Sequence, residues 1–312
     1  MGSIKRAFWS LFLAIALVAG LGFFTIPEQA MADDRAIAPI IPDRQGIYVA
    51  QALQAGERLV KGEEKKIGDG TVRTWVKLGK DNKPVSIGVT MTEGGLYGLP
   101  DDPDTGREKG QEATKLQLLD RIGHYTFENE LMFPKEAAPF IHMGYNWNPY
   151  GHWPQAVFTE PHYDVHFYME TPKYRYEIAK ANYKDVLKGH KKLPPEFVPK
   201  GYDIAYGTLE PRMGIHWANF SSPELNPGKF NKIFLFGSFD GKMLFWEPMI
   251  TRRFLLEKPT NYSEAISQPA AYPKGGYYPM SYSVKYDSDR KEFDISLDDL
   301  VYREGTEVAA AR

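Results

Sequence analysis

Apolar and polar positions alternate through residues 71–92. Thr71–Leu78 and Pro84–Thr92 each carry the period-two pattern of a half-buried strand, and the Gly79-Lys80-Asp81-Asn82-Lys83 segment between them predicts a hairpin. Tyr125–Phe133 reads as a further strand. Lys232–Pro248 (KIFLFGSFDGKMLFWEP) predicts a second hairpin about a type I′ turn at Asp240-Gly241. A regular register there opposes Phe239 to Lys242, Phe236 to Phe245 and Phe234 to Glu247. Glu247 then shares a face with Phe234, Phe236, Ser238, Met243 and Phe245, while Ile233, Leu235, Leu244 and Trp246 take the other. With both faces apolar, this hairpin belongs at the centre of a packed structure.

Helical spacing is confined to two places. Ile47, Ala50, Leu53 and Leu59 predict a short helix over 47–59, and Pro172–Gly189 predicts another, with Thr171 as N-cap, Pro172 at the first helical position and Gly189 past its end. Phe140–Pro154, dense in Gly, Pro, Asn and aromatics, reads as a loop, as does the acidic stretch Asp101–Gly110. No fixed-period repeat points to a solenoid or propeller. The expected fold is α+β and β-rich, a predominantly antiparallel sheet with a few short helices.

The ends add an address. Lys5 and Arg6 precede the apolar run Ala7–Phe24, and Ala30-Met31-Ala32 forms a small-x-small cleavage site, so residues 1–32 read as a signal peptide. Gly20, Gly22 and Pro27 favour its removal over retention as an anchor, leaving no membrane span. The protein is expected to be exported, periplasmic or extracellular. Residues 33–64 form a leader with the short helix, 65–285 a single β-rich domain, and 286–312 a polar C-terminal tail. The 312 residues include no cysteine, which excludes disulfides, thiolate ligands and a cysteine nucleophile. A net charge of −2 with interspersed signs announces no nucleic-acid surface.

Candidate chemistry centres on Pro161–Tyr168 (PHYDVHFY). On a strand, Tyr163, Val165 and Phe167 face one way and His162, Asp164 and His166 the other. Successive members of that second face lie about 6.6 Å apart, and the two histidines about 13 Å. With bonds of about 2 Å to imidazole nitrogen, neighbours can share one ion, whereas His162 and His166 share one only if the strand bends. His216, in Met213-Gly214-Ile215-His216-Trp217, and Glu247 can extend the shell, and His142 and His152 precede the motif. Imidazole and carboxylate donors without thiolate suit zinc, manganese, iron or copper. If such an ion keeps an open position, Glu247 is the candidate general base for an activated water. No GxSxG elbow, P-loop, GxGxxG or HExxH is present.

Asn146-Trp147-Asn148-Pro149 with Gly151-His152, the PHYDVHFY stretch, Met213–Trp217 and Phe245–Thr251 (FWEPMIT) together resemble a bacterial exported-protein family known only as a domain of unknown function. The resemblance spans residues 65–285 in order. It implies a mixed α+β domain, a homo-oligomer and no established activity, and its pattern falls on His152, His162, Asp164, His166, His216 and Glu247. Two expectations follow: an exported metal-binding protein holding an ion by His162, His166 and His216 with Asp164 or Glu247 in support, or a non-catalytic cell-envelope binding or assembly protein whose histidines are structural.

Overall fold

The computed structural model describes residues 53, 55–100, 114–117, 125–154, 156–178 and 183–306. The expected signal peptide, residues 33–52 and 54 of the expected leader, and the Asp101–Gly110 loop lie outside them. The strands are β1 (Arg58–Ile67), β2 (Gly70–Leu78), β3 (Pro84–Thr92), β4 (Thr114–Gln117), β5 (Tyr125–Met132), β6 (His142–Asn148), β7 (His162–Tyr168), β8 (Asp203–Ile204), β9 (Ile215–Ala218), β10 (Lys232–Phe239), β11 (Lys242–Thr251), β12 (Tyr262–Ala265), β13 (Gly276–Tyr278), β14 (Ser281–Asp287), β15 (Glu292–Asp298) and β16 (Val301–Arg303). The α-helices are short: α1 (Pro172–Tyr176), α2 (Tyr183–Gly189) and α3 (Arg252–Leu256). The β-rich, antiparallel α+β expectation holds.

Two sheets carry the fold. A six-stranded sheet runs β1-β2-β3-β15-β14-β12 and an eight-stranded sheet β4-β5-β6-β7-β11-β10-β9-β8, with β13-β16 as a separate ribbon. Their facing sides form one core. Met143, Tyr145, Trp147, Tyr163, Val165, Phe167, Phe234, Phe236 and Trp246 come from the larger sheet, and Val72, Val76, Ile87, Val89, Met91, Ile295 and Leu297 from the smaller. Polar tips are satisfied across the interface: the Tyr163 hydroxyl donates to the Gly95 carbonyl at 3.0 Å, and the Trp147 indole to the Pro100 carbonyl at 3.0 Å. A second, smaller core of Val157, Phe158, Ala218, Phe230, Ile233, Leu235 and Met249 covers the far side of the larger sheet. The polar face of β7 therefore lies between that sheet and a second apolar layer, and all seven of its residues are buried.

Several expectations need correction. The predicted Ile47–Leu59 helix gives way at its end, since Leu59 lies in β1; residues 47–52 are outside the described residues. β1 is a charged edge strand (RLVKGEEKKI), and charge on an edge blunts aggregation while hiding the strand pattern. The domain thus begins before residue 65. It also extends past 285: the expected tail contains β15, paired on both sides, with Phe293, Ile295 and Leu297 in the inter-sheet core and Glu292, Asp294 and Ser296 buried on the opposite face. The Phe140–Pro154 loop contains β6, fully buried, whose alternate residues His142, Gly144, Asn146 and Asn148 face the polar site rather than solvent. The Pro172–Gly189 helix is two helices, and Thr171 caps the first by accepting from the Tyr174 amide.

The β10–β11 hairpin forms with Asp240 and Gly241 both at positive φ, as a type I′ turn requires. Its register slips by one residue between Gly237 and Ser238. Phe236 opposes Trp246 rather than Phe245, and Glu247 opposes Leu235 rather than Phe234. Because side chains alternate with period two, this single bulge transfers Phe245 and Glu247 to the far face of the sheet. Gly237 permits it: a Cβ there would sit 2.0 Å from the Phe245 ring.

Candidate metal centre

Register builds the site. β7 presents His162, Asp164 and His166 on one face. Asp164 lies opposite Asn146 of β6 and Met249 of β11, and the pairs flanking Glu247 place it opposite His166. β10 opposes Leu235 to Glu247 and Gly237 to both Phe245 and His216 of β9, so His216 reaches the same face. The chain after β6 returns His152 over Asp164.

The six candidate residues gather into two groups of three, not one shell. His152, His162 and Asp164 form the first, and His166, His216 and Glu247 the second; in each, one donor atom per residue lies within 4.8 Å of the others. Such groups are close enough to hold a metal ion. The expected sharing of one ion by His162, His166 and His216 fails because β7 does not bend enough to join positions about 13 Å apart. Of the remaining histidines, His142 is buried in β6, stacked on Tyr168 at 4.7 Å, and His190 is half-buried against Tyr206. Neither joins a group. His124 lies outside the described residues.

In the first group His162 Nε2 stands 3.1 Å from Asp164 Oδ1, and His152 Nε2 stands 3.4 Å from Asp164 Oδ2. In the second, His166 Nε2 is 3.2 Å from Glu247 Oε1, and His216 Nε2 is 3.6 Å from Glu247 Oε2. The opposite ring nitrogens decide what these distances mean. His162 Nδ1 lies 2.6 Å from the Glu160 carbonyl, His152 Nδ1 2.8 Å from that of Trp153, and His216 Nδ1 3.0 Å from that of Thr208. A carbonyl only accepts, so each Nδ1 carries the proton. A neutral ring then turns the bare lone pair of Nε2 toward a carboxylate, which is repulsive unless a proton or a cation stands between them. Backbone carbonyls fixing the ring so that Nε2 points inward is the support that metal-bound histidines receive.

Asn148 supports the first group. Its amide donates to Asp164 Oδ2 at 2.8 Å, and the Thr126 hydroxyl donates to its carbonyl oxygen at 2.6 Å. Behind the second group, Tyr168 is stacked against His166 at 5.4 Å, with the Arg175 guanidinium 4.4 Å over its ring. Arg175 is itself buried and paired with Glu128. These supports were missed in the sequence. Alternation through His142–Asn148 was the available signal for Asn148, whereas nothing local marks Arg175, 47 residues from Glu128.

Electrostatics separates the groups. Burial opposes ionisation of Asp164, but attraction to His162 and His152 outweighs it and holds the carboxyl well below its ordinary range. Burial likewise opposes a charge on His152, and Asp164 overcomes it to raise that ring. In the second group burial prevails: His166 falls to about 3 and His216 to about 4, while Glu247 is pushed well above the usual carboxylate range, with Asp164 adding to the push. Without a metal, ionisation is favoured at Asp164 and opposed at Glu247. Buried polar atoms with no hydrogen-bond partner concentrate here, among them His162 Nε2, Asp164 Oδ1, both ring nitrogens of His166 and Glu247 Oε2. Native folds leave few such atoms, so a cluster of them marks the place of an ion or water.

A cavity of about 110 Å³ lies against both groups, with His152 and Asp164 of the first and His216 of the second on its wall. Among the described residues, no helix is long and apolar enough to cross a membrane. Compared with protein-family models, curated proteins and solved structures, the chain matches none.

Proposed function

We propose that this is an exported metal-binding protein that holds one transition-metal ion in each group, zinc, manganese, iron or copper by the donor set. The observation that carries the reading is the aim of the rings: three backbone carbonyls turn Nε2 of His152, His162 and His216 toward buried carboxylates. A cation between them satisfies both partners at once. Elemental analysis of protein purified without an affinity tag, after incubation with each metal, tests it. Two equivalents support the reading; below a tenth of an equivalent with every metal overturns it.

Catalysis is the extension of this reading, and the cavity beside the two groups supports it. Three protein donors leave each ion short of a four-coordinate shell, and for a water activated on the first group's ion, of which Glu247 is not a ligand, Glu247 would be the general base, giving hydrolase or hydratase chemistry. One observation favours the second reading, a non-catalytic envelope binding or assembly protein. His166 and a protonated Glu247 at 3.2 Å can satisfy each other without metal. That reading expects chelators to leave melting temperature and oligomer size unchanged. Tyr183, Val186 and Leu187, exposed on α2, offer an apolar face for the homo-oligomer that either reading includes. Export rests on the signal-like residues 1–32 and on the resemblance of the four motifs.

A further inference from the structure

His152, Asp164 and His216 share the cavity wall with the hydroxyl groups of Thr126 and Thr208, and most of the remaining lining is apolar, Leu235 and Met249 among it. Trp153 and Phe220 also line the cavity while remaining 38% and 52% exposed, so they mark its mouth. A few polar groups in an otherwise apolar cleft fix the head of a ligand and leave its body to hydrophobic burial. At roughly 10–15 Å³ for each water-sized probe, the cavity of about 110 Å³ takes on the order of eight to ten non-hydrogen atoms.

The protons of that wall are already committed. The Asn148 amide donates to the Asp164 carboxylate at 2.8 Å, so Asn148 Oδ1 is left as an acceptor, and the Thr126 hydroxyl donates to it at 2.6 Å. The Thr208 hydroxyl donates to the Ala205 carbonyl at 2.7 Å and accepts the His216 amide at 3.1 Å. The Nδ1 protons of His152 and His216 go to backbone carbonyls. A ligand therefore meets lone pairs: those of Thr126 Oγ1, of Nε2 on the two rings and of the Asp164 carboxylate. Glu210 also lines the wall, but it has an interaction of its own and its carboxylate adds no donor. Among the described residues, the side-chain donor left on the lining is the Trp153 indole, and it stands at the mouth.

With the lone pairs of His152 and Asp164 given to an ion, Thr126 Oγ1 keeps its own. A ligand head at this end of the cavity then needs a lone pair for the ion and a proton for Thr126. An alcohol carries both on one atom. A carboxylate, an aldehyde or an ether carries lone pairs alone, and an alkylammonium carries protons alone. From this we infer that the cavity binds a small alcohol with an apolar body. Its oxygen lies toward the ion beside His152 and Asp164, its hydroxyl proton is donated to Thr126 Oγ1, and its body packs against Leu235 and Met249 and reaches Phe220 at the mouth. The inference rests on the metal-binding reading and assigns the class of ligand for that site.

The full chain is loaded with cobalt, its metal content is measured, and it is titrated with benzyl alcohol, with anisole (equal in size but without a donor), with benzamide and with ethanol. The cobalt absorption bands and calorimetry are followed together. Benzyl alcohol should perturb the bands and bind about tenfold more tightly than anisole, the worth of one hydrogen bond, and more tightly than benzamide or ethanol. Its binding should weaken when the metal is stripped. Thr126→Val, kept in excess cobalt, should bring benzyl alcohol down to the affinity of anisole. Phe220→Ala leaves the hydrogen-bonded wall untouched and should weaken benzyl alcohol about fivefold while leaving ethanol unchanged. A loaded chain that binds anisole or benzamide as well as benzyl alcohol overturns this inference and leaves the metal reading standing. So does benzyl alcohol binding that is undiminished by metal removal, or a preference over anisole that survives Thr126→Val. A chain that takes up no cobalt overturns both.

Discussion

Adjacent residues of β7 face opposite layers, so substituting them separates packing from metal binding. Val165 is fully buried in the inter-sheet core, and Val165→Ala removes two methyl groups from it. Its cost should be about 1–3 kcal/mol, the range for large-to-small core changes. His166, one residue on, points at Glu247. If metal is supplied at about 1,000 times its Kd, each bound ion stabilises the fold by about 4 kcal/mol. Losing one of three protein donors, with affinity falling about 100-fold, reduces that metal-dependent increment to about 1.4 kcal/mol. Urea titrations of wild type, Val165→Ala and His166→Ala, each with and without zinc, measure both quantities. Val165→Ala should be less stable than wild type by the same amount in the two conditions. His166→Ala should resemble wild type more closely without metal than with it. Equal zinc-dependent gains in wild type and His166→Ala would refute the assignment of that ring. A zinc effect lost in Val165→Ala would show that the two faces are not independent.

Three further outcomes are expected. Asn148→Ala removes the amide that donates to Asp164 and should weaken the ion of the first group by about 10–100-fold while leaving the second unchanged, as read by metal competition. Burial pushes the Asp294 carboxyl up to about 7, so the folded state keeps a proton that the unfolded chain releases. Its stabilising contribution is complete below the unfolded value near 3.8 and is lost as pH rises through about 7; Asp294→Asn should flatten that decline and gain on the order of 2–4 kcal/mol at pH 8, and equal chemical stabilities of the two proteins at pH 5 and pH 8 would refute it. Gly237→Ala forces a Cβ into the Phe245 ring and disturbs the bulge that orients Glu247, so a melting temperature within a degree of wild type would contradict the role given to that glycine.

Most of the architecture is visible wherever one face of a strand is wet or plainly apolar. β2, β3 and the turn at Asp240-Gly241 follow directly from alternation and turn chemistry. β6 was hidden because its alternate positions are His, Gly and Asn, residues that signal loops in water but here face a buried polar layer. The charges of β1 disguised an edge strand, and those of β15 disguised a strand buried between two neighbours. The candidate residues stand out in the sequence as histidines and carboxylates at period two, a pattern that also fits a solvated strand face, and the structure brings six of them together. Their division into two groups was not legible there. It depends on a one-residue bulge between Gly237 and Ser238, which no local propensity announces, and on the return of His152 over Asp164 from a chain segment outside any strand.

Two separate ion sites, rather than one shared shell, are the central claim, and stoichiometry tests it most directly. Calorimetric titration with zinc should give two equivalents for the wild-type chain, one for Asp164→Ala, one for Glu247→Ala and none for the double variant. The two single variants should retain different affinities, because burial opposes ionisation of Glu247 while the neighbouring rings favour that of Asp164. A single equivalent in wild type, lost in both single variants, would mean that the six residues serve one ion and would contradict the account.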